Sequence, residues 1–440
     1  MIMKYVLITI LFIVAMNSMA INVKTLGAKG DGKQDDAPFI NAAIEKALLL
    51  GEDLFLPAGV YKCDAFTHYD KLIKMNQYGI KKIKIYGEEG TKITTSKSSG
   101  CIFYIYYKSA DVVIDKIFFE NTHGITDDQT NAIQLFGTTE NAIENLTIQN
   151  CRFEGFSTAI SAQGVQGLVI QNNIFESPKG HDNAQEGSAP AVYIWLADNL
   201  NGQCFDVFIC NNTASGFSGT DITKTITKRP MDGFVYGVGY RVTMEGNLTK
   251  HFGEEHMLFQ PHNTLITSDY PILITRNKFY LKVPVGSMKD GAPLISNCGV
   301  RADCNAVTIF DNDFFDYTNA VLILPYDYPS LSQHSYNVSV NRFFSHATTI
   351  YHIREAIKIQ GSLINLTSNI KVSNNYILIK DLQLKSTRAA IAIYNCESVS
   401  LDHNHIVGTN INEAGFTLSG ITTTNCFRVE NLFNEVRIQK

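Results

Sequence analysis

Asp182, Asp221, Glu255 and His256 are the side chains of this 440-residue chain whose types and spacing suit acid–base chemistry. Asp182, Asp221 and His256 each lie nine residues after an asparagine of a recurring phrase (Asn173, Asn212 and Asn247). Equal offsets predict neighbouring positions if the phrase stacks on itself. Two carboxyl groups about 5 Å apart would suit a nucleophile and an acid at a glycosidic carbon. A gap of about 6.5–9.5 Å would instead leave room for a water between acid and base. His256 would then orient or tune one of the acids. Around these lie Tyr193, Trp195 and Tyr236, whose rings can stack on a sugar, and the donors Lys224, Arg229, Arg241, His262 and Arg301. Each has a plainer alternative: core packing for Trp195, loop bracing for Asp182, Asp221 and His256, and a solvated turn for Glu254 and Glu255. His251, His256 and His262 are spaced by five and six residues, which suits no pair on one strand face, so no metal is expected there.

The elements that must position these groups are legible as a repeat. The phrase is aliphatic, any, aliphatic, two of any kind, Asn, any, then usually apolar. It appears as Leu168/Ile170/Asn173/Phe175, Val207/Ile209/Asn212/Ala214, Val242/Met244/Asn247 and Ile272/Ile274/Asn277. It continues as Val307/Ile309/Asn312, Tyr336/Val338/Asn341, Ile370/Val372/Asn375 and Val399/Leu401/Asn404, with Cys151 and Ile117 in the Asn place of earlier copies. The asparagines recur at intervals of 29 to 39 residues. Period-2 aliphatics closed by Asn, which tolerates left-handed backbone angles, read as a short strand ending in a bend. Repeated at that interval, they predict a solenoid whose asparagines stack into a hydrogen-bonded ladder. β-Branched and aromatic residues exclude helical repeats, and the period is too short for a propeller. The expected fold is all-β: a single-stranded right-handed parallel β-helix over 21–440.

Its ends carry different signals. Residues 35–50 place Ile40, Ala43, Ile44, Ala47 and Leu48 at helical spacing behind Asp35, Asp36 and Pro38, predicting an amphipathic helix that caps the first coil within a cap of about 21–63. Residues 427–440 keep strand character without the phrase and read as a degenerate closing coil. Lys4, the apolar run Val6 to Met16 and Ser18-Met19-Ala20 read as a signal peptide cleaved after Ala20, so the protein is expected to be secreted, extracellular or periplasmic. No later segment is apolar enough to span a bilayer, so no membrane contact is expected after cleavage. Lys and Arg total 37 against 42 Asp and Glu, a formal charge of −5, which argues against nucleic acid as a partner. Apolar residues at 45% and charged residues at 18% exclude a disordered chain. Nine scattered cysteines form no CxxC pair. Most read as buried thiols, with Cys298/Cys304 or Cys204/Cys210 as possible pairs across a turn. The sequence leaves oligomeric state open.

Residues 23–63 run Val-Lys-Thr-Leu-Gly-Ala-Lys-Gly-Asp-Gly-Lys-Gln-Asp-Asp, then the helix, then Leu-Phe-Leu-Pro-Ala-Gly-Val-Tyr over 54–61. This opening resembles that of pectate-lyase-like β-helix proteins, a superfamily with glycoside hydrolases of family 28, polysaccharide lyases and phage tailspikes. The resemblance implies the same fold and a polysaccharide partner. Asp31, Asp35 and Asp36 belong to this motif and read as turn and cap residues. The catalytic set of polygalacturonases (Asn-Thr-Asp, Asp-Asp, Gly-His-Gly, Arg-Ile-Lys) does not carry over. Gly219-Thr220-Asp221 and Ile357-Lys358 are similar only to its first and last members, and the calcium and arginine pattern of pectate lyases is not visible. Gln260-Pro261-His262-Asn263 is similar to the Asp-Pro-His-(Asp/Glu) motif of mannuronan epimerases, with Gln for the leading acid.

Loop lengths place the expected groove. The stretches 174–190, 213–233 and 278–291 are long and lie in nearby coils, where a rigid scaffold usually carries its binding groups. They would wall a groove floored by strands near 191–195, 234–240 and 255–262. The expected activity is hydrolysis of an extracellular polysaccharide by paired carboxylates, without a cofactor. One alternative is lyase or epimerase action on a uronic-acid polymer, with His256 or His262 as base and calcium held by Glu254 and Glu255. Another is a non-catalytic glycan-binding or adhesion solenoid.

Overall fold

The computed structural model describes residues 20–64, 73–74, 82–123, 130–138, 140–177, 190–194, 202–216, 233–237, 239–252, 255–260, 271–281, 298–304, 306–317, 319–324, 335–346, 355–361, 369–380, 388–409 and 418–438. Each copy of the phrase folds into two strands joined by a tight corner, and a third strand completes the coil. In the coil of Asn212 these are Phe205–Cys210, Thr213–Ser215 and Val235–Gly237. Stacking yields three sheets. The first has fourteen strands from Ile21–Asn22 to Arg428–Leu432, and the second has fourteen from Asp31–Asp35 to Glu435–Ile438. The third has twelve from Ile73–Lys74 to Leu418–Thr424. Each strand pairs in parallel with its counterparts in the coils before and after, as Leu168↔Val207↔Val242↔Ile272 illustrates. The chain is a right-handed parallel β-helix.

The ladder is present and longer than the sequence suggested. The backbone N–H and side-chain NH2 of Asn173 both donate to Oδ1 of Asn212, at 2.9 and 3.1 Å. Nδ2 of Asn212 donates back to the Ile170 carbonyl at 2.9 Å. The pattern repeats through Asn247, Asn277, Asn312, Asn341, Asn375 and Asn404 to Asn434, and Cys151 joins at the other end through its N–H to Asn173 Oδ1. The left-handed residue of the corner is not the ladder asparagine but the one before it. Asn172, Asn211, Gly246, Arg276, Asp311, Val340, Asn374, His403 and Phe433 all have φ between 50° and 65°. That leaves each ladder side chain free to turn inward, where the eight read from sequence are buried.

Inside, the second sheet lines the core with in-register rings. Phe119, Phe153 and Phe175 stack at 5.2 and 4.9 Å, and Phe279, Phe314 and Phe343 at 4.6 and 5.0 Å. Between the two stacks the same column holds only Ala214 and Thr249. Interiors tolerate few voids, and here Phe234, Phe252 and His256 fill the space.

The helix Ala37–Leu50 buries Ala37, Ile40, Ala43, Ile44 and Ala47 and packs on the first strands of the solenoid. Of the two acids expected to cap it, Asp35 bonds the helix's first N–H while Asp36, at the N-cap position, turns its carboxylate to the preceding loop. Asp36 accepts from the N–H groups of Lys29 and Gly30, and Asp35 accepts from that of Ala37. Within the segment expected to be degenerate, residues 427–438 form the strands Arg428–Leu432 and Glu435–Ile438 in register with the preceding coil, with Asn434 in the ladder. Asn431 in an aliphatic place hides the phrase there. Cys204/Cys210 and Cys298/Cys304 cannot pair. Most of an extended strand separates each couple, which at about 3.3 Å per residue holds the two backbone positions well beyond the Cα range of a disulfide. All nine cysteines are free.

Candidate functional site

Among the described residues, the third sheet carries Tyr193, Tyr236, Glu255, His256 and Arg301 of the groups the sequence singled out. Alternation along its strands turns Val192, Ile194, Val235, Met257, Phe259, Val300 and Ala302 into the core. The residues between them form an outward column in register: Ser161, Tyr193, Tyr236, Leu258, Arg301 and Leu322. At the ~4.8 Å strand spacing, Tyr193 to Arg301 makes a stripe about 14 Å long parallel to the solenoid axis.

Arg301 of the stripe is also the centre of a charged cluster. Arg301 and Asp303 are two residues apart, and the Asp303 N–H donates to the Phe259 carbonyl of the preceding coil at 2.8 Å. Nε and Nη2 of Arg301 donate to the two carboxylate oxygens of Asp303 at 3.2 and 3.0 Å, a bidentate pair. Nη1 reaches Oε1 of Glu255 at 3.4 Å, and the Tyr236 hydroxyl donates to its Oε2 at 3.3 Å. Asp303 is sealed from solvent, Glu255 is 5% exposed, and the Arg301 side chain keeps 27% of its surface.

Burial outweighs the guanidinium for Asp303, whose carboxyl is pushed up to about 6. Arg301 moves upward, because two adjacent carboxylates outweigh its own desolvation. The Cys298 thiol beside them is pushed well up by burial and by the charge of Glu255. With both acids ionised the cluster carries one net negative charge, and protonation of Asp303 near pH 6 removes it. Its bonds to Glu255 are long, so a ligand group can replace them at little cost.

Of the residues expected to share a groove, the cluster brings together Glu255, Arg301 and Tyr236, with Tyr193 one coil away. His256 does not belong to it. Its ring fills the core between Phe252 and Phe279, with Nδ1 2.8 Å from the Thr249 hydroxyl, and burial lowers its pKa to about 3. The sequence offset that placed it beside Asp182 and Asp221 could not register that Ala214 and Thr249 leave a space to fill. Arg241 is also elsewhere. It lies on the first sheet, exposed, and pairs with Asp206 of the neighbouring coil. Tyr240, at the same strand's start, stacks on Phe205 at 4.7 Å instead of flooring the groove. Asp182, Trp195, Asp221, Lys224, Arg229 and His262 lie outside the described residues.

Asp303 was not among the expected site residues. The signal was available, because a cation and an acid two apart on a strand share one face. The stretches 174–190 and 213–233 read as loops open with strands of the second sheet, Ile174–Glu176 and Thr213–Ser215. A calcium held by Glu255 does not fit the described residues, since it would sit beside the guanidinium already bonded to that carboxylate. No group of three or more His, Cys, Asp or Glu side chains suited to a metal occurs among the described residues.

Residues 20–232 match the family model described as Rhamnogalacturonase A/epimerase, pectate lyase-like. The cluster of Glu255, Arg301 and Asp303 lies beyond that segment. No curated protein sequence matches the chain. Among solved structures, the chain is similar to the A-module of the Azotobacter vinelandii mannuronan C-5 epimerase AlgE6, with a TM-score of 0.57, 15% identity, and coverage of 95% of this chain and 99% of that one. It is also similar to PfbA, a surface adhesin of Streptococcus pneumoniae, with a TM-score of 0.56, 14% identity, and coverage of 95% and 91%. A third is the tailspike protein of E. coli bacteriophage HK620 in complex with a pentasaccharide, with a TM-score of 0.54, 10% identity, and coverage of 92% and 78%. These likenesses establish the fold.

Proposed function

We propose that this chain is a secreted enzyme that hydrolyses a polysaccharide laid along the third sheet, with Glu255 as a reacting carboxylate. The observation that carries the reading is the cluster of Glu255, Arg301 and Asp303 at the edge of the Tyr193–Tyr236–Leu258–Arg301 stripe. Half-buried rings and an aliphatic side chain suit the apolar faces of sugars, and the guanidinium donates to their hydroxyls. Glu255 is nearly desolvated and loosely held, as befits an acid that exchanges its partners for a glycosidic oxygen. Asp303 is too deep to touch substrate and acts as a positioning residue for Arg301. The second reacting carboxylate is drawn from Asp182 and Asp221, whose offset from the ladder differs by one residue from that of Glu255. The names of the matched family and of two structural neighbours, an epimerase and a tailspike complexed with a pentasaccharide, support a carbohydrate partner.

Charge favours a neutral polymer. Arg301 is matched by two carboxylates, so the cluster has no net positive charge for a uronate. The exposed edge of the Arg301 fork supports a second reading, in which it grips a substrate carboxylate for elimination or epimerisation once Asp303 is protonated. A polysaccharide panel read by reducing ends and by ultraviolet absorbance separates the readings. Hydrolysis gives reducing ends alone, and elimination adds absorbance from unsaturated ends. Epimerisation changes sugar configuration without cleavage, and a purely binding protein turns over nothing. Glu255→Gln should lower hydrolysis by about 10²–10⁴-fold. Hydrolysis undiminished in that variant would remove Glu255 from the chemistry.

A further inference from the structure

The corner between the third sheet and the first carries two cysteines in successive coils. Tyr394 and Thr424 are direct partners in the third sheet, and the corners that follow match residue for residue. Asn395 and Asn425 are both left-handed, with φ of 53° and 54°, and Nδ2 of Asn425 donates to Oδ1 of Asn395 at 3.2 Å. One residue on, Cys396 and Cys426 occupy the same place one coil apart, and the Phe427 N–H donates to the Cys396 carbonyl at 3.2 Å. Their thiols point the same way. Cys396 Sγ lies 3.0 Å from the Tyr394 carbonyl, while Cys426 Sγ lies 3.4 Å from that of Thr424 and 3.6 Å from that of Ile393 in the preceding coil. A separation of about 4.8 Å, the strand spacing, falls within the Cα range that a disulfide accepts.

The location gives such a bond something to do. The coil that includes Cys426 is the last described one, and Phe427, Val429, Leu432, Phe433 and Val436 are exposed there. Its strands pair on one side only. A coil with half the neighbours of an interior one opens most easily.

We propose that Cys396 and Cys426 form a disulfide that staples this coil to the one before it when the chain meets a small-molecule disulfide oxidant. The two thiols together lose two protons and two electrons, and one oxidant molecule is reduced to two thiols. Cys426 is the more exposed and exchanges first, releasing one thiol and leaving a mixed disulfide. Cys396 then attacks the Cys426 sulfur and releases the second. Burial raises the Cys396 thiol to about 12, so this closing step runs through a scarce thiolate and quickens about tenfold per pH unit.

The test uses the full chain and oxidised glutathione. Non-reducing peptide mapping should find the peptides of Cys396 and Cys426 joined, two hydrogens lighter than their sum, while the other cysteines remain open to alkylation after unfolding. A stable glutathione adduct on Cys426, or nine alkylatable thiols, would overturn the proposal. Hydrogen exchange over 427–438 should slow on oxidation in the wild type and stay unchanged in a Cys396→Ser/Cys426→Ser double variant. Oxidation that forms the bond yet leaves exchange unaltered would refute the stapling role.

Discussion

At the residue scale, the third-sheet cluster and the buried histidine make opposite uses of burial. Asp303 is held by Arg301 but desolvated enough to titrate near 6, so protonation loosens the bidentate grip just below neutrality. The activity profile should therefore inflect near pH 6, and Asp303→Asn should abolish that inflection while retaining measurable turnover. A profile unchanged in the variant would show that Arg301 is held by other means. Arg301→Ala should cost about 3–5 kcal/mol in urea unfolding, because it strands two buried carboxylates. His256 stays neutral in the folded core, with its pKa lowered to about 3, whereas the unfolded chain protonates near 6.5. The unfolded state thus takes up the proton first as pH falls, and stability should decline from about pH 6.5 towards 3. His256→Phe should flatten that decline. Tyr236 and Arg301 meet through regular strand alternation and coil spacing, whereas Glu255, two residues before the inward-facing Met257, reaches Arg301 only because alternation breaks at His256. His256 was misplaced because a core vacancy arises from Ala214 and Thr249, which lie in different coils and are invisible to a count along the chain.

At the element scale, the corner is a two-residue device whose parts have separate duties. The first residue supplies the left-handed turn, and the second supplies the ladder bond. Val340 is the mismatch, a β-branched residue at φ 59°, where Asn172, Asn211 and Asn374 stand in sister corners. Val340 is 39% exposed, so little packing is lost by replacing it. Val340→Asn should raise stability by about 1 kcal/mol in urea unfolding, since a left-handed β-branched residue is costly. No gain would mean that the corner's strain is relieved elsewhere. Asn277→Ala tests the second duty. It removes bonds to the Met244 carbonyl and to the Asn247 N–H and should cost about 1–3 kcal/mol, because those partners stay buried. The ladder was readable from the asparagine spacing, but the division of labour was not, since Gly246, Arg276, Asp311 and His403 fill the first place as well. Such variety hides a backbone requirement behind unrelated side chains.

At the scale of the whole molecule, the solenoid turns local repetition into a linear surface. Three sheets rise together, and only the third carries Tyr193, Tyr236, Leu258 and Arg301 in one outward line. The fold was legible from sequence because its unit is short and recurs through most of the chain. The site was only partly legible, because its members come from different coils and meet only through register. A stripe about 14 Å long at the strand spacing predicts that turnover of defined oligosaccharides increases with length until the stripe is filled and then levels off. A dependence that keeps rising well past that length would place binding along more of the sheet.

The most direct measurement is a crystal structure of the Glu255→Gln variant with an oligosaccharide of the best-hydrolysed polymer. Sugar rings should lie against Tyr193 and Tyr236, with a glycosidic oxygen within hydrogen-bond reach of residue 255 and a hydroxyl on Arg301. Sugar bound on the first or second sheet, with the third left bare, would contradict that placement.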